Sequence, residues 1–399
     1  MNINCRFYLK ALIASALLSV SASSVAIDFV HPGVLDSKKQ FKFVKDNLNK
    51  EPWKSAYTKI LQDPRASLDY KATPWSTVEC GSSNNPDHGC TDEVRDAQAA
   101  YTQAILWMLT DNEAYAKNST AIINAWANTL TGGHTNSNAP LQAAWSAELF
   151  TRAAEIVKYT YTGWPQSEKD KVTTMFKQQY LPDIQKMFSG SYACYNHNWH
   201  ASGIEGMLNI AVFNKDEALF NDSLTKWRSL LPAYIYLESD GNRPKNTSWC
   251  SKNDTQIKTF WNNPVNYVDG LSQESCRDFE HTAYGVAALI NAAETAHIQG
   301  VDLYNDRSAN ASERLKKAME LHSKYQNNGS TSLPKLCEAY DGIKLTTKGT
   351  FEIGYNQYAV RENNKLPETQ LFLDKTRPTV GYFHYLWETM THGLIGNSN

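Results

Sequence analysis

The segment RDFEHTAYGVAALINAAE, residues 277–294, joins a polar cluster to an alanine-rich run. The alanine-rich run has the composition of a helix that packs against other helices. If the helix includes the whole segment, Arg277, His281 and Tyr284 fall at positions i, i+4 and i+7 and project from one stripe. A guanidinium, an imidazole and a phenol on one stripe are suited to holding an anion. The segment therefore predicts a packed helix with a polar site near its beginning.

Apolar residues recur at three- and four-residue intervals through most of the chain. This spacing predicts helices over 39–61, 97–110, 115–130, 141–159, 166–187, 201–213, 217–238, 283–297 and 309–324, and the polar composition of 71–91 predicts a loop. The pattern shows neither a strand–helix alternation nor a glycine-rich phosphate loop after a strand. We expect an all-α fold in a single domain. Paired helices of similar length suit an α/α toroid, a ring of helices around a groove, although periodicity alone also fits a bundle.

Composition limits the possible partners. A chain of 399 residues with 42% hydrophobic content can bury a large core. The formal net charge of −2 provides no basic face of the kind that nucleic-acid binding usually needs, so we expect no nucleic-acid partner. Eleven Trp and 21 Tyr residues are a heavy aromatic load. Sugar rings stack on aromatic faces, but large helical cores also use aromatic residues.

The N-terminus has the pattern of a secretory signal peptide. Arg6 and Lys10 precede an apolar run, and Ser24-Val25-Ala26 supplies small residues at the spacing required for cleavage. We interpret 1–26 as a signal peptide and 27–399 as one mature domain, located in the periplasm or secreted. The apolar run is too short to span a bilayer comfortably, so we expect no membrane attachment after cleavage. We expect the mature protein to be a monomer.

Six cysteines remain once Cys5 leaves with the signal peptide, and an even number in an exported chain indicates disulfides. Cys80 and Cys90 enclose a short polar loop and are the first expected pair. Three pairings stay open for the other four, which are Cys194, Cys250, Cys276 and Cys337. The chain has no C-x-x-C or H-E-x-x-H spacing, so we expect no metal site.

A second polar element, Asn196-His197-Asn198-Trp199, lies about eighty residues before Arg277. The two elements together resemble the alginate lyase family of polysaccharide lyases. Members of that family pair an Asn-His element with an Arg and, seven residues further on, a Tyr. Arg277 and Tyr284 have this spacing. A broader set of relatives has Gly-Asn-Trp at the first element, which makes Asn198 the alternative equivalent of the Asn.

The resemblance extends through most of the mature chain, in blocks at 121–126, 141–145, 153–156, 300–304 and 351–355. It implies an α/α toroid with a groove for an anionic polysaccharide, and it makes 27–399 a catalytic domain. In this interpretation Asn196 and His197 neutralise a substrate carboxylate with help from Arg277, and Tyr284 acts as both base and acid. We expect Arg277 to lower the pKa of Tyr284 from its usual value of about 10. No metal or other cofactor is needed.

Further residues are predicted to bind substrate by residue type and family position, and core packing competes with this role for the aromatic ones. They are Asn198, Trp199, His281, Trp145, His134 and Tyr355. We do not expect His281 to be the base, because such a histidine more often packs in the core or orients a neighbour.

The resemblance implies an exported lyase that cleaves a polyuronate by β-elimination and releases unsaturated oligosaccharides. Mannuronate-rich alginate is the first expected substrate, with glucuronan or another β-linked polyuronate as the alternative. An inverting glycoside hydrolase is a competing class and needs two carboxylates that flank the bond. The available candidates are Glu148, Glu155, Asp240 and Asp278. A non-catalytic periplasmic glycan-binding protein is another class, and its binding would not depend on the Tyr284 hydroxyl.

Overall fold

The computed structural model describes residues 27–329, 333–338 and 351–396, so the predicted signal peptide lies outside the described residues. Helices dominate these residues. They are α1 (Lys38–Asp46), α2 (Trp53–Gln62), α3 (Cys90–Thr110), α4 (Glu113–Thr129), α5 (Ala139–Thr160), α6 (Gln166–Met175), α7 (Leu181–Gln185), α8 (His197–Asn214), α9 (Glu217–Tyr234), α10 (Asp254–Phe260), α11 (Phe279–Ile298), α12 (Ala311–Asn328), α13 (Glu352–Tyr355), α14 (Pro367–Thr376) and α15 (Glu388–His392).

Most predicted helices are confirmed, with ends shifted by a few residues. The predicted helix 39–61 is two helices, because Pro52 lacks the N–H that a continuous helix would need. The predicted helix 166–187 is interrupted by one π-helical turn at Phe176–Tyr180, two residues before Pro182 in the first turn of α7. Proline therefore explains both interruptions, which apolar periodicity does not reveal.

The predicted loop 71–91 contains two of the three short strands that the described residues form. Strand β1 (Val78–Cys80) pairs antiparallel with β2 (Asp87–His88) and parallel with β3 (His134–Thr135), in the order β2-β1-β3. Helix α3 begins at Cys90, earlier than predicted. This short sheet ties the loop before α3 to the loop before α5.

The long helices form an α/α toroid, which confirms the predicted fold class. Helices α3, α5, α8 and α11 pack side by side in that order, and α4 and α9 pack against α3 and α8 respectively. Nearly all residues of α5, α8 and α11 are buried. A helix surrounded by other helices must be compatible with the core on every face, which explains the alanine-rich composition of α11. No helix in the described ranges has the length and apolar content needed to cross a membrane.

Three disulfides cross-link the described chain. The expected Cys80–Cys90 pair is confirmed. The other two bonds, Cys194–Cys250 and Cys276–Cys337, settle the pairing that the sequence left open. Each of these two bonds fixes a chain segment directly before a helix, α8 in one case and α11 in the other.

A fully buried charge network joins α5, α8 and the C-terminal segment. His384 Nδ1 lies 2.7 Å from Glu148 Oε2 and 2.8 Å from Glu205 Oε2, and Arg152 also bonds Glu205. Burial by itself lowers the pKa of His384, but the two carboxylates raise it to about 9. Glu148, Glu205 and His384 each have one potential metal-ligating atom within 4.8 Å of those of the other two, which is the spacing of a metal site. Arg152 and a protonated His384 supply the positive charge that these carboxylates need.

A second buried network surrounds His134. Its Nε2 donates to Glu93 Oε1 at 2.9 Å, and Tyr180 donates to the same oxygen at 2.7 Å. Burial opposes the charge on His134, but Glu93 and Asp183 raise its pKa to about 9. His134 therefore stabilises the contact between β3 and α3 as a cation.

We predict that the protein loses stability as the pH rises from about 6.5 to about 9. The folded-state pKa values of His134 and His384 lie above the unfolded value of about 6.5, so their contribution is complete below that pH and is lost as the pH passes about 9. His384→Gln should cost about 3 kcal/mol at pH 6 and should flatten the dependence. Thermal unfolding followed by circular dichroism measures both effects.

The matched control is His88→Gln, because His88 is exposed and pairs only with the surface residue Glu79 among described carboxylates. This variant should keep the wild-type slope. A wild-type melting temperature that stays level between these pH values would contradict the prediction.

Candidate functional site

A pocket of about 770 Å³ opens where α5, α8 and α11 begin. The positive ends of three helix dipoles therefore face one region, which favours an anionic ligand. Six of the predicted site residues line this pocket: Trp145, Asn196, Asn198, Trp199, Arg277 and His281. Ser82, Ser83 and Asn84, from the predicted loop 71–91, line it as well.

Arg277 reaches the pocket from a loop, so the prediction of one helical stripe is wrong in part. Helix α11 begins at Phe279, and Asp278 is its N-cap, whose carboxylate accepts the His281 backbone N–H at 2.7 Å. The helix therefore starts only after this cap, and Arg277 lies outside it. Only His281 and Tyr284 share a helical face. The guanidinium of Arg277 is 35% exposed and remains available to a ligand.

The buried carboxylate of Glu274 holds Asn198 and Arg277 together. Glu274 is fully buried, and its oxygens accept the Asn198 side-chain N–H groups at 2.6 and 2.7 Å. The Asn198 backbone N–H donates to it at 3.1 Å, and Arg277 Nη1 donates at 2.9 Å. Asn198 therefore turns its Oδ1 away from Glu274, and this buried atom has no partner in the described chain.

Gln273 orients the other asparagine. Its Nε2 donates to Asn196 Oδ1 at 3.2 Å, and its Oε1 accepts the His197 backbone N–H at 3.1 Å. Asn196 occupies the N-cap of α8, but its side chain makes no capping bond. The Asn196 amide nitrogen is thus left as a donor at the pocket, near the beginning of α8.

His197 lies beneath the pocket wall instead of on it. Its side chain is buried, Phe260 packs edge-on against the imidazole at 5.0 Å, and His200 is its ring neighbour. Burial, with the nearby His200 and Lys252, lowers the pKa of His197 well below its usual range. His197 is therefore neutral at physiological pH.

His281 and Asp278 form a dyad at the pocket. His281 Nδ1 lies 2.7 Å from both Asp278 oxygens. A carboxylate at Nδ1 holds the proton on that nitrogen and leaves Nε2 as the acceptor. Burial raises the pKa of Asp278, but His281 outweighs this effect and lowers it, so the carboxylate is ionised.

Tyr284 lies next to the pocket in a polar triad. Its hydroxyl donates to Glu280 Oε1 at 2.9 Å and lies 2.9 Å from the Tyr382 hydroxyl, which donates to the same Glu280 oxygen at 2.6 Å. The expectation that Arg277 lowers the pKa of Tyr284 is wrong. Burial, then Tyr382 and Glu280, raise the pKa of Tyr284 well above its usual range. Tyr284 therefore keeps its proton at neutral pH.

Aromatic rings cover two sides of the pocket. Tyr195 and Trp199 meet edge-on at 5.0 Å, and Tyr192 stacks on Trp199 at 6.2 Å. On another side Trp145 stacks on Phe383 at 4.4 Å. Tyr195 is 38% exposed, so part of its ring is accessible to a ligand in the pocket.

The structure does not bring His134 or Tyr355 to this pocket. His134 is 4% exposed and belongs to the buried network with Glu93. Tyr355 is also buried and packs under the guanidinium of Arg377. Core packing, the competing interpretation, thus describes both residues.

The carboxylates proposed for a hydrolase do not form a pair at the pocket. Glu148 and Glu155 are fully buried in contact with histidines, and Asp240 bonds Arg314. Asp278 is held by His281. The pocket presents mainly amide, guanidinium and imidazole groups, which does not support the inverting hydrolase.

Sequence reasoning missed several residues that shape the site, namely Gln273, Glu274, Glu280, Tyr195, Tyr382 and Phe383. Glu274 lies three residues before Arg277 and Glu280 three residues after it, so their closeness in sequence could have marked them as site residues. Tyr382 and Phe383 come from a distant segment and no local pattern marks them.

We predict that Glu274→Gln destabilises the protein by about 1–3 kcal/mol and weakens ligand binding. The new amide would place a donor against the N–H groups of Asn198 and the guanidinium of Arg277. Urea unfolding measures the first effect. Glu238→Gln removes an equal charge from an exposed position and should unfold like the wild type. Equal stability of the two variants would contradict this view of Glu274.

Known structures share the fold. An alginate lyase from Bacteroides ovatus superposes with a TM-score of 0.60 at 13% identity, over 92% of this chain and 100% of that chain. Alginate lyase A1-III from Sphingomonas species A1 gives 0.55 at 14% identity, over 85% and 94%. A histidine-to-alanine variant of alginate lyase A1-III, complexed with tetrasaccharide, gives 0.53 at 16% identity, over 83% and 89%. No curated protein sequence matches the chain.

The family comparison covers most of the sequence. The family model described as alginate lyase matches residues 37–332, which include α1 to α12 and both polar elements. That region contains every residue of the pocket named so far except Phe383. The chain therefore belongs to the alginate lyase family and is a polysaccharide lyase.

Proposed function

We propose that the protein cleaves a polyuronate by β-elimination, and that mannuronate-rich alginate is its first candidate substrate. Glucuronan or another β-linked polyuronate is the alternative. The observation that carries the proposal is the convergence of Arg277, Asn196 and the His281–Asp278 dyad on one pocket, with Tyr284 directly behind it. The family assignment supports the same reaction class.

The first chemical task is to neutralise the uronate carboxylate, since the neighbouring C–H is a very weak acid while that charge persists. The Arg277 guanidinium and the Asn196 amide are donors at the pocket, and three helix N-termini add positive potential. These groups can stabilise the enolate-like intermediate. The His197 side chain is buried and neutral, and its backbone N–H and Asn196 share Gln273 as a partner, which modifies the expectation that His197 itself meets the carboxylate.

The second task is removal of the proton. Asp278 leaves His281 Nε2 as an acceptor, so we assign His281 as the base. This assignment reverses the expectation that His281 is not the base. It also revises the expectation that Tyr284 serves as both base and acid, because the raised pKa of Tyr284 opposes formation of a phenolate.

The third task is protonation of the departing glycosidic oxygen. Tyr284 keeps its proton and is 7% exposed beside Trp145 and Phe383, so we assign it as the acid. Glu280 and Tyr382 hold the hydroxyl in place. After transfer, the Tyr382 hydroxyl can pass its proton to Tyr284 and regain one from solvent, while His281 releases the abstracted proton to solvent.

Binding of the polymer involves the aromatic surfaces and Asn198. Tyr195 and Trp199 present ring faces and edges on which sugar rings can stack. The unpartnered Oδ1 of Asn198 can accept a hydrogen bond from a sugar hydroxyl. These contacts bind neutral parts of the polymer, while Arg277 recognises its charge.

We further propose that the chain is exported, with 1–26 as the signal peptide and 27–399 as a monomeric catalytic domain in the periplasm or outside the cell. The three disulfides support an oxidising compartment. The absence of a strongly basic composition argues against nucleic acid as a partner.

The activity itself is tested by following the ultraviolet absorbance of unsaturated uronates with mannuronan, guluronan, glucuronan and pectate. We expect a rise with mannuronan. New reducing ends without absorbance would indicate hydrolysis instead, and binding without either signal would favour a glycan-binding protein.

The proton-transfer roles are tested with Tyr284→Phe and His281→Gln. Each should lower kcat by about 100-fold or more, because each removes one proton-transfer group. Polymer binding should persist in both variants. Tyr57→Phe provides the control, since Tyr57 lies on α2, outside the pocket lining. Turnover like the wild type in Tyr284→Phe would refute its role as the acid.

The role of the aromatic surface is tested with Trp199→Ala. Loss of a stacking platform should raise KM about fivefold or more and leave kcat within about twofold, because the ring touches the sugar but no transferred proton. Trp75→Ala is the matched control, since Trp75 is 39% exposed and lies outside the pocket lining. An unchanged KM in Trp199→Ala would remove Trp199 from the binding site.

A further inference from the structure

A second pocket of about 560 Å³ lies at the opposite end of α11. It is lined by the segment before α1, the first turn of α1, and the last turn of α11 with His297 and Ile298. His281 and His297 are sixteen residues apart on one helix, which corresponds to about 24 Å along its axis. This pocket is therefore separate from the site proposed for elimination, and its size is typical of small-molecule sites.

Two buried polar atoms of the lining residues lack partners in the described chain: Gln40 Nε2 and His31 Nε2. Gln40 is only 5% exposed, and its Oε1 accepts the backbone N–H of the N-cap Ser37 at 3.0 Å. The capping box therefore fixes the amide and leaves its nitrogen as a donor. His31 is held by Glu155 through Nδ1 and stacks on Tyr159 at 4.0 Å. Buried polar groups of this kind usually have a partner.

The charges around the pocket favour an anion. Lys38 and Lys39 occupy the first turn of α1, where the positive end of the helix dipole adds to their charge. Glu294 is the one acidic residue among the described lining residues. Arg361 neutralises it with two bonds of 2.8 and 2.9 Å. Gln40 and the two lysines would offer donors to an oxyanion here, and no unpaired carboxylate stands among the described lining residues. His31 Nε2 is not one of these donors, because Glu155 holds the proton on Nδ1 and leaves Nε2 as an acceptor.

We propose that this pocket binds a small oxyanion, specifically the carboxylate of a uronate sugar. Gln40 Nε2 and the α1 N-terminus would contact the carboxylate, and Lys38 and Lys39 would balance its charge. Inorganic phosphate shares the oxyanion chemistry and is the other possible source. The choice of a uronate rests on the polyuronate substrate proposed above, whereas the oxyanion site itself does not depend on elimination at the first pocket.

The test is isothermal titration of glucuronate, and separately of phosphate, into wild-type protein and Gln40→Glu. The glutamate can still accept the Ser37 N–H, so the capping box and the fold should persist, but the donor becomes a repelling carboxylate. We expect binding to weaken at least tenfold while lyase turnover is unchanged. Lys42→Gln alters the net charge equally from an exposed position on the same helix, where Lys42 pairs with Asp46, and should bind like the wild type.

The outcomes separate the possibilities. Uronate binding that Gln40→Glu weakens and Lys42→Gln preserves would support the proposal, even if no lyase activity were found. Phosphate binding with the same pattern, and no uronate binding, would overturn the sugar assignment and leave a phosphate site. No binding of either ligand up to about 10 mM, or equal binding by wild type and Gln40→Glu, would overturn the site itself.

Discussion

The buried carboxylate of Glu274 is the constraint on which the arrangement of the first pocket depends. It is enclosed by protein on all sides and accepts hydrogen bonds from Asn198 at the start of α8 and from Arg277 just before α11. A buried negative charge is costly unless donors surround it, so the two chain segments must meet at this point. Gly285 lets α11 approach Tyr234 on α9 closely, because a Cβ at this position would lie 2.1 Å from the Tyr234 hydroxyl. Tyr234 in turn lies 3.5 Å from Glu274.

Behind the pocket, the network of Arg152, Glu205 and His384 connects the same helices at a deeper level. Asn291 on α11 also bonds the His384 backbone carbonyl at 2.7 Å, so α5, α8 and α11 all contact one C-terminal segment. The pocket is therefore supported by polar contacts in two layers. Rigid support of this kind holds the donors in place before substrate arrives, and this preorganisation is a large part of electrostatic catalysis.

Much of this architecture was predictable from sequence, for identifiable reasons. The helices, the Cys80–Cys90 bond and the pocket positions of Asn196 and Arg277 follow from periodicity, spacing and family resemblance. The helix start at Phe279 depends on the conformation of one cap, which composition does not determine. The protonation of Tyr284 depends on its burial and then on Tyr382, which is 98 residues away in sequence. His134 could not be assigned to the core without knowing where Glu93 lies. Local patterns predict elements well, whereas proton affinities depend on tertiary neighbours.

The stack of Phe383 on Trp145 has a consequence for protein engineering. The family match ends at residue 332, yet Tyr382, Phe383 and His384 lie beyond it and supply, in turn, a partner of Tyr284, a wall of the pocket and the centre of the buried network. Consider a chimera in which residues 37–332 come from one family member and the C-terminal segment that contains residues 382–384 comes from another. Its Asn196 and Arg277 positions would then pack against a C-terminal segment from a different protein. An exchange between family members should therefore transfer this C-terminal segment together with the helical toroid, because the two must fit each other.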